Sequence, residues 1–174
     1  MDVPGYRTIL RTILIEMKER DVLNYPLALV EALDAMLAND RLLNVFIYIA
    51  FNKSPVYDTP TVVSTLDLIK RWFLTIHHNN ALVPASFDFT FFFKGIQILI
   101  DFDHGVSSAK VIWLLYRTLH IIPSEQRTIL LKEILKENKF YDLFFHWSWN
   151  IRMLFHYLYF FQLHKSFAPK LEES

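Results

Sequence analysis

Apolar residues return at steps of three and four along nearly the whole of this chain, and that spacing decides what it can fold into. Tyr6, Ile9, Leu10, Ile13, Leu14 and Met17 make the first such series. On a helix they share one face, whereas on a strand they would scatter over both. Arg7, Arg11 and Lys18 fall toward the other side, and Glu16 stands four residues before Arg20, a modest stabilising pair. Pro4 suits the first turn, where its missing N–H costs nothing.

The same period continues. Asn24-Tyr25-Pro26 reads as a start signal, and Leu27–Leu37 follows with helix-favouring Ala and Leu. Asn39-Asp40 ends that helix and offers side-chain oxygens to cap a third, Arg41–Phe51. This third segment is apolar nearly all round apart from Asn44, and its β-branched and aromatic residues also suit a buried strand. Helix is preferred because its neighbours are helical and no partner strand is evident. Asn52–Pro60 reads as a loop. Its Asn52-Lys53-Ser54 matches a glycosylation acceptor, taken as accidental without a secretory signal. Thr59-Pro60 opens a fourth helix with the stripe Val62, Leu66, Ile69, Phe73 and Ile76; Ser64, Asp67 and Arg71 lie outside, and His77–Asn80 closes it.

Ser86 is the expected cap of a fifth helix, Phe87–Asp103, with His104-Gly105 as its stop. Alternation in Phe87, Phe89 and Phe91 allows a strand at its start, but Phe92-Phe93, Ile96, Leu99 and Ile100 restore the helical period. A sixth helix carries Ile112, Leu115, Tyr116 and Leu119, and Pro123-Ser124 separates it from a seventh, Glu125–Glu137. The last stretch divides at His146-Trp147-Ser148. Phe140–Phe145 is a short packing helix, Ser148 caps a final one through Lys165, and residues 168–174 form a frayed tail.

Only three glycines occur in 174 residues, and tight hairpins usually need glycine at positive φ, so a β-rich fold is disfavoured. The expectation is an all-α chain of about eight helices, stacked as antiparallel pairs in the manner of armadillo or HEAT arrays. A compact irregular helical bundle is the alternative. The length suits a single helical domain over residues 1–174, whole or within a longer protein.

Eighteen basic residues balance eighteen acidic ones, so no long-range field favours nucleic acid. The absence of cysteine excludes disulfides, thiolate metal sites and cysteine nucleophiles. Asp101-Phe102-Asp103-His104-Gly105 suggests a calcium loop, but Val106 stands where its glycine should be and Ile112 where its acidic twelfth ligand should be. His77 and His78 point about 100° apart on a helix and cannot easily share an ion. His156 and His164 lie two turns apart, and no HExxH, phosphate-binding glycine loop or GxSxG elbow occurs. No catalytic residue, cofactor or metal ligand is therefore assigned. No uncharged apolar run reaches the roughly 18 residues a membrane-spanning helix needs. MDVPGYRTILR lacks the basic-then-apolar run of a signal peptide, so a cytoplasmic setting is expected.

What stands out is Phe140–Lys165, FYDLFFHWSWNIRMLFHYLYFFQLHK, in which eleven of 26 residues are aromatic. Ile151, Leu154, Phe155, Leu158 and Phe161 form a core-facing stripe; Trp149, Arg152, His156, Tyr159 and Leu163 recur around another side. An internal aromatic core is the plain reading. The sharper one is a partner-binding patch of Trp147, Trp149, Arg152, His156 and Tyr159, since aromatics and Arg are enriched at interaction hot spots. Arg152 follows Trp149 by three residues, within reach of its indole. The expected function is thus a non-catalytic scaffold or protein–protein interaction module. A peripheral membrane-associated domain is the alternative, because Trp and Tyr suit the bilayer interface, although basic clusters are absent. An enzyme with a cleft of dispersed residues comes third.

The pattern from Phe140 to Phe161, a short aromatic helix leading into LFFHWSWNIR and then MLFHYL, resembles a eukaryotic family, domain-of-unknown-function family 1765. The matching positions are Phe140, Leu143, Phe144, His146, Trp147, Ser148, Arg152, Phe155 and Leu158; Arg127 and Ile129–Leu135 fit more loosely. The resemblance implies a helical domain within a longer protein. It brings no reaction and no catalytic residues.

Overall fold

A computed structural model describes residues 5–79, 82–134 and 136–163, and among them every regular element is helical. The chain divides into two compact units, Met1–Phe87 and Asp88–Ser174. The expected tail at 168–174 lies outside the described residues, as do Pro4, Asn80, His164 and Lys165.

The first unit contains α1 (Tyr6–Glu19), a 3-10 turn (Val22–Asn24), α2 (Leu27–Met36), α3 (Leu42–Asn52) and α4 (Thr59–His78). Helix α4 is its axis, and the five predicted stripe residues, Val62, Leu66, Ile69, Phe73 and Ile76, are all buried. Trp72 joins them and meets Phe46 of α3 with ring centroids 5.6 Å apart. The segment that also suited a strand is helix α3, with Phe46, Ile47 and Ala50 in the core.

Helix α1 sinks into this core only at its C-terminal end. Met17 is fully buried, while Ile9, expected on the core face, is exposed. The anchoring contacts explain the difference. Tyr25 Oη donates to the Met17 carbonyl at 2.7 Å, and Lys53 Nζ donates to the carbonyls of Lys18 and Arg20. A cation on the last carbonyls of a helix also answers its negative dipole end. The expected Glu16–Arg20 pair forms. Capping differs from expectation at α3, where Leu42 and Leu43 donate to the backbone carbonyls of Asn39 and Asp40 and no side chain caps the helix.

The second unit contains α5 (Phe89–Asp101), α6 (Gly105–Thr118) running into a 3-10 turn (Leu119–Ile121), α7 (Ser124–Ile134), α8 (Glu137–Phe144) and α9 (Trp149–Tyr157). A π-helical turn (Leu158–Leu163) continues α9. Helix α6 packs against α5 and α9, and α8 against α9. Asp88, not Ser86, caps α5: its carboxylate accepts from the Phe91 N–H at 2.9 Å, whereas the Ser86 carbonyl accepts from Asn44 Nδ2 within the first unit. Nor is Gly105 the stop of α5. Helix α5 ends at Asp101, Asp103 takes the left-handed conformation at φ 50°, and Gly105 is already the first residue of α6. The expected seventh helix, Glu125–Glu137, is described as α7 over Ser124–Ile134, and Glu137 already belongs to α8.

Candidate functional site

The turn between α8 and α9 is where the aromatic stretch changes from core to surface. Its centre is His146, which is buried. His146 Nδ1 accepts from the Ser148 backbone N–H at 3.0 Å, and its Nε2 faces Asp103 Oδ1 at 3.1 Å. A backbone N–H can only donate, so Nδ1 carries the lone pair, the ring is neutral, and the proton sits on Nε2, pointing at the carboxylate. Ser148 does stand at the N-cap of α9, but through its backbone: its hydroxyl makes no capping bond.

Two side chains of α9 then tie down the carbonyls that α8 and the turn leave without helical partners. Arg152 Nη1 donates to the His146 carbonyl at 3.1 Å, and His156 Nε2 donates to the Phe144 carbonyl at 3.1 Å. The His156 ring also lies on Phe144 with centroids 4.4 Å apart. Phe140 packs between Phe144, Phe155 and Tyr159, at 5.2, 5.8 and 5.4 Å. This interlocking of rings and capped carbonyls fixes the path of the turn.

The five sequence-assigned residues therefore occupy different settings. Trp147 and Trp149 are 81% and 62% exposed. Arg152, His156 and Tyr159 are half-buried, with Arg152 and His156 bonded to the turn and Tyr159 against Phe140 and Phe144. The guanidinium-on-indole contact expected for Arg152 is found instead at Arg117, over Trp113 at 5.7 Å. Phe161, expected on the core stripe, is exposed. It lies in the π-helical turn, where hydrogen bonds reach five residues rather than four, so each turn holds more residues and the stripe drifts off the core. Nothing is described for the Leu163 side chain.

Two surface aromatics escaped the sequence reading. Tyr141 and Phe145, one helical turn apart, are 52% and 68% exposed and lie parallel with centroids 6.2 Å apart. With Trp147 they wall a pocket of about 530 Å³ whose other lining includes Asp101, Asp103, Asp142, Lys139 and His146. Lys139 is ion-paired with Asp101. Their i, i+4 spacing was readable, but on α8 it is equally that of a buried stripe. A larger groove of about 730 Å³ lies between α5, α7 and α8, with Phe93, Ile96, Leu130 and Ile134 in its lining and Lys94, Glu133 and Lys136 among its polar groups. Among the described residues no group of three His, Asp or Glu side chains is arranged to hold a metal ion, and no helix is long and apolar enough to cross a membrane.

The family model described as "Protein of unknown function (DUF1765)" matches residues 43–163, a span that contains the whole of the α8–α9 turn. No curated protein and no solved structure matches the chain.

Proposed function

Because the chain belongs to the DUF1765 family, whose description assigns no function, we propose a role from the site itself: a non-catalytic protein–protein interaction module that binds through the α8–α9 turn. The observation that carries this reading is the solvent exposure of Tyr141, Phe145, Trp147 and Trp149 around a turn held by the Ser148 N–H donating to His146 and by Arg152 and His156 donating to its carbonyls. Large aromatics leave water readily and lose little side-chain entropy when covered, so a rigid exposed group of them favours association. Arg152 and His156 then act by positioning, leaving contact to the rings. A non-catalytic role is supported by the engagement of both His146 nitrogens, which leaves the imidazole no lone pair for a substrate proton. A cytoplasmic setting belongs to the same proposal.

The test is cross-linking and co-purification with the 174-residue chain and a Trp147→Ala/Trp149→Ala variant, with circular dichroism as the fold control. Partners bound by the former and lost by the latter are expected. A folded variant that keeps every partner would remove this surface. Membrane contact through the same rings is the second reading, favoured by the exposed Trp and Tyr; flotation with neutral and anionic vesicles separates the two.

A further inference from the structure

We infer that the pocket walled by Tyr141, Phe145 and Trp147 receives an arginine side chain from a segment of the partner polypeptide. The inference rests on the interaction reading above and adds the chemistry of what is bound.

Charge selects the occupant. Three carboxylates, Asp101, Asp103 and Asp142, line this 530 Å³ pocket. Lys139 answers Asp101. Among the described residues Asp103 has only the neutral imidazole of His146, which donates a hydrogen bond but brings no positive charge while its Nδ1 accepts from Ser148. Asp142 makes no ion pair among the described residues. Among the described residues, two carboxylates thus face an aromatic-walled recess without a cation of their own. Aromatic faces attract cations, and adjoining carboxylates add to that field and repel anions. An anionic headgroup or acidic segment is disfavoured on both counts.

Shape selects arginine among cations. A guanidinium is flat, lies against a ring face and forks onto a carboxylate, whereas an ammonium is compact and keeps its water more strongly. Tyr141 and Phe145 present parallel rings, and Asp142 lines the same pocket. The pocket is open and Trp147 projects from its edge, so a free arginine would leave that indole wet. A polypeptide segment carrying the arginine covers it, which makes a peptide the better-matched ligand.

The experiment uses the 174-residue chain and a fluorescein-labelled Gly/Ser peptide containing two arginines, with matched peptides carrying citrulline, lysine or glutamate. Fluorescence anisotropy is expected to rank arginine first, about tenfold tighter than citrulline, a neutral side chain of nearly the same shape. Added salt should weaken the arginine complex. Asp142→Asn, at an exposed helix position, should cost several-fold without altering the fold, and Phe145→Ala/Trp147→Ala should abolish binding. Equal binding of citrulline, or indifference to Asp142→Asn and Asp103→Asn together, overturns the inference. In co-purification, partners lost by the aromatic variant but kept by the aspartate variant would overturn the arginine assignment alone. Partners kept by both would overturn the interaction reading with it.

Discussion

His146 is the residue on which the site turns, and its role follows from which atoms can donate. Both ring nitrogens are used, one by the Ser148 N–H and one on Asp103. His146→Phe keeps the aromatic volume but leaves the Ser148 N–H unmet at a half-buried helix start, at a cost of about 1–3 kcal/mol. Urea unfolding of the variant checks the size, and nitrogen chemical shifts of the wild-type imidazole should report protonated Nε2 and bare Nδ1. A second residue carries a pH signature. Tyr25 is pushed up to about 12, first by burial and then by the nearby Asp21 carboxylate. Its unfolded value is 10.0, so the folded chain holds this proton more tightly. The stabilisation is complete below the unfolded value and is lost as pH rises through the folded one. Unfolding free energy should therefore fall between about pH 10 and pH 12, and Tyr25→Phe should flatten that fall. At neutral pH the same variant loses the bond to the Met17 carbonyl, worth roughly 1 kcal/mol. Neither role was legible in the sequence, where His146 marked a break between two helices and a position in a resemblance, and Tyr25 was part of a start signal.

At the scale of the element, periodicity located helices better than it located their ends. The stripe of α4 was readable because five apolar residues agreed on one face and all five are buried. Ends rest on single residues, and near α5 several candidates competed. Ser86 and Asp88 are both good caps by type, but the Ser86 carbonyl is taken by Asn44 and the chain turns helical only at Phe89. Asp88→Ala should cost about 1 kcal/mol in thermal or urea unfolding, while Ser86→Ala should change little. The reverse order would mean that α5 begins before Phe89. Gly105 failed as a stop for a related reason. Asp103 takes the left-handed position, as Asp and Asn do more readily than most residues, which frees the glycine to begin α6. The π-helical turn after α9 had no signal in the spacing, because the aromatics at 157, 159, 160 and 161 fit several helical registers equally well.

For the whole molecule, sequence reading reached the all-helical class and the family but not the surface, because sixteen Phe, eight Tyr and four Trp residues look alike in composition whether buried or bare. Trp72 and Trp147 differ only in what surrounds them: one is fully buried under α3 and the other projects from a turn. The same dependence on surroundings limits the family span as a guide to the folding unit. The match begins at residue 43, inside the first compact unit and after α1 and α2. Those two helices and the 3-10 turn supply Met17, Val22, Leu29 and Leu33 to the buried core, with α2 and the turn resting on α4. Each such side chain contributes about 1.5–3 kcal/mol when fully buried, and losing all four exceeds what a marginally stable unit can spare. A fragment of residues 43–163 should therefore lose fixed packing around α4 although it holds the full family span. With Trp113, Trp147 and Trp149 replaced by phenylalanine, Trp72 reports this directly. Acrylamide should quench it weakly in the 174-residue chain and strongly in the fragment. Equal protection in both would mean that α3 and α4 keep their core without the helices that precede them.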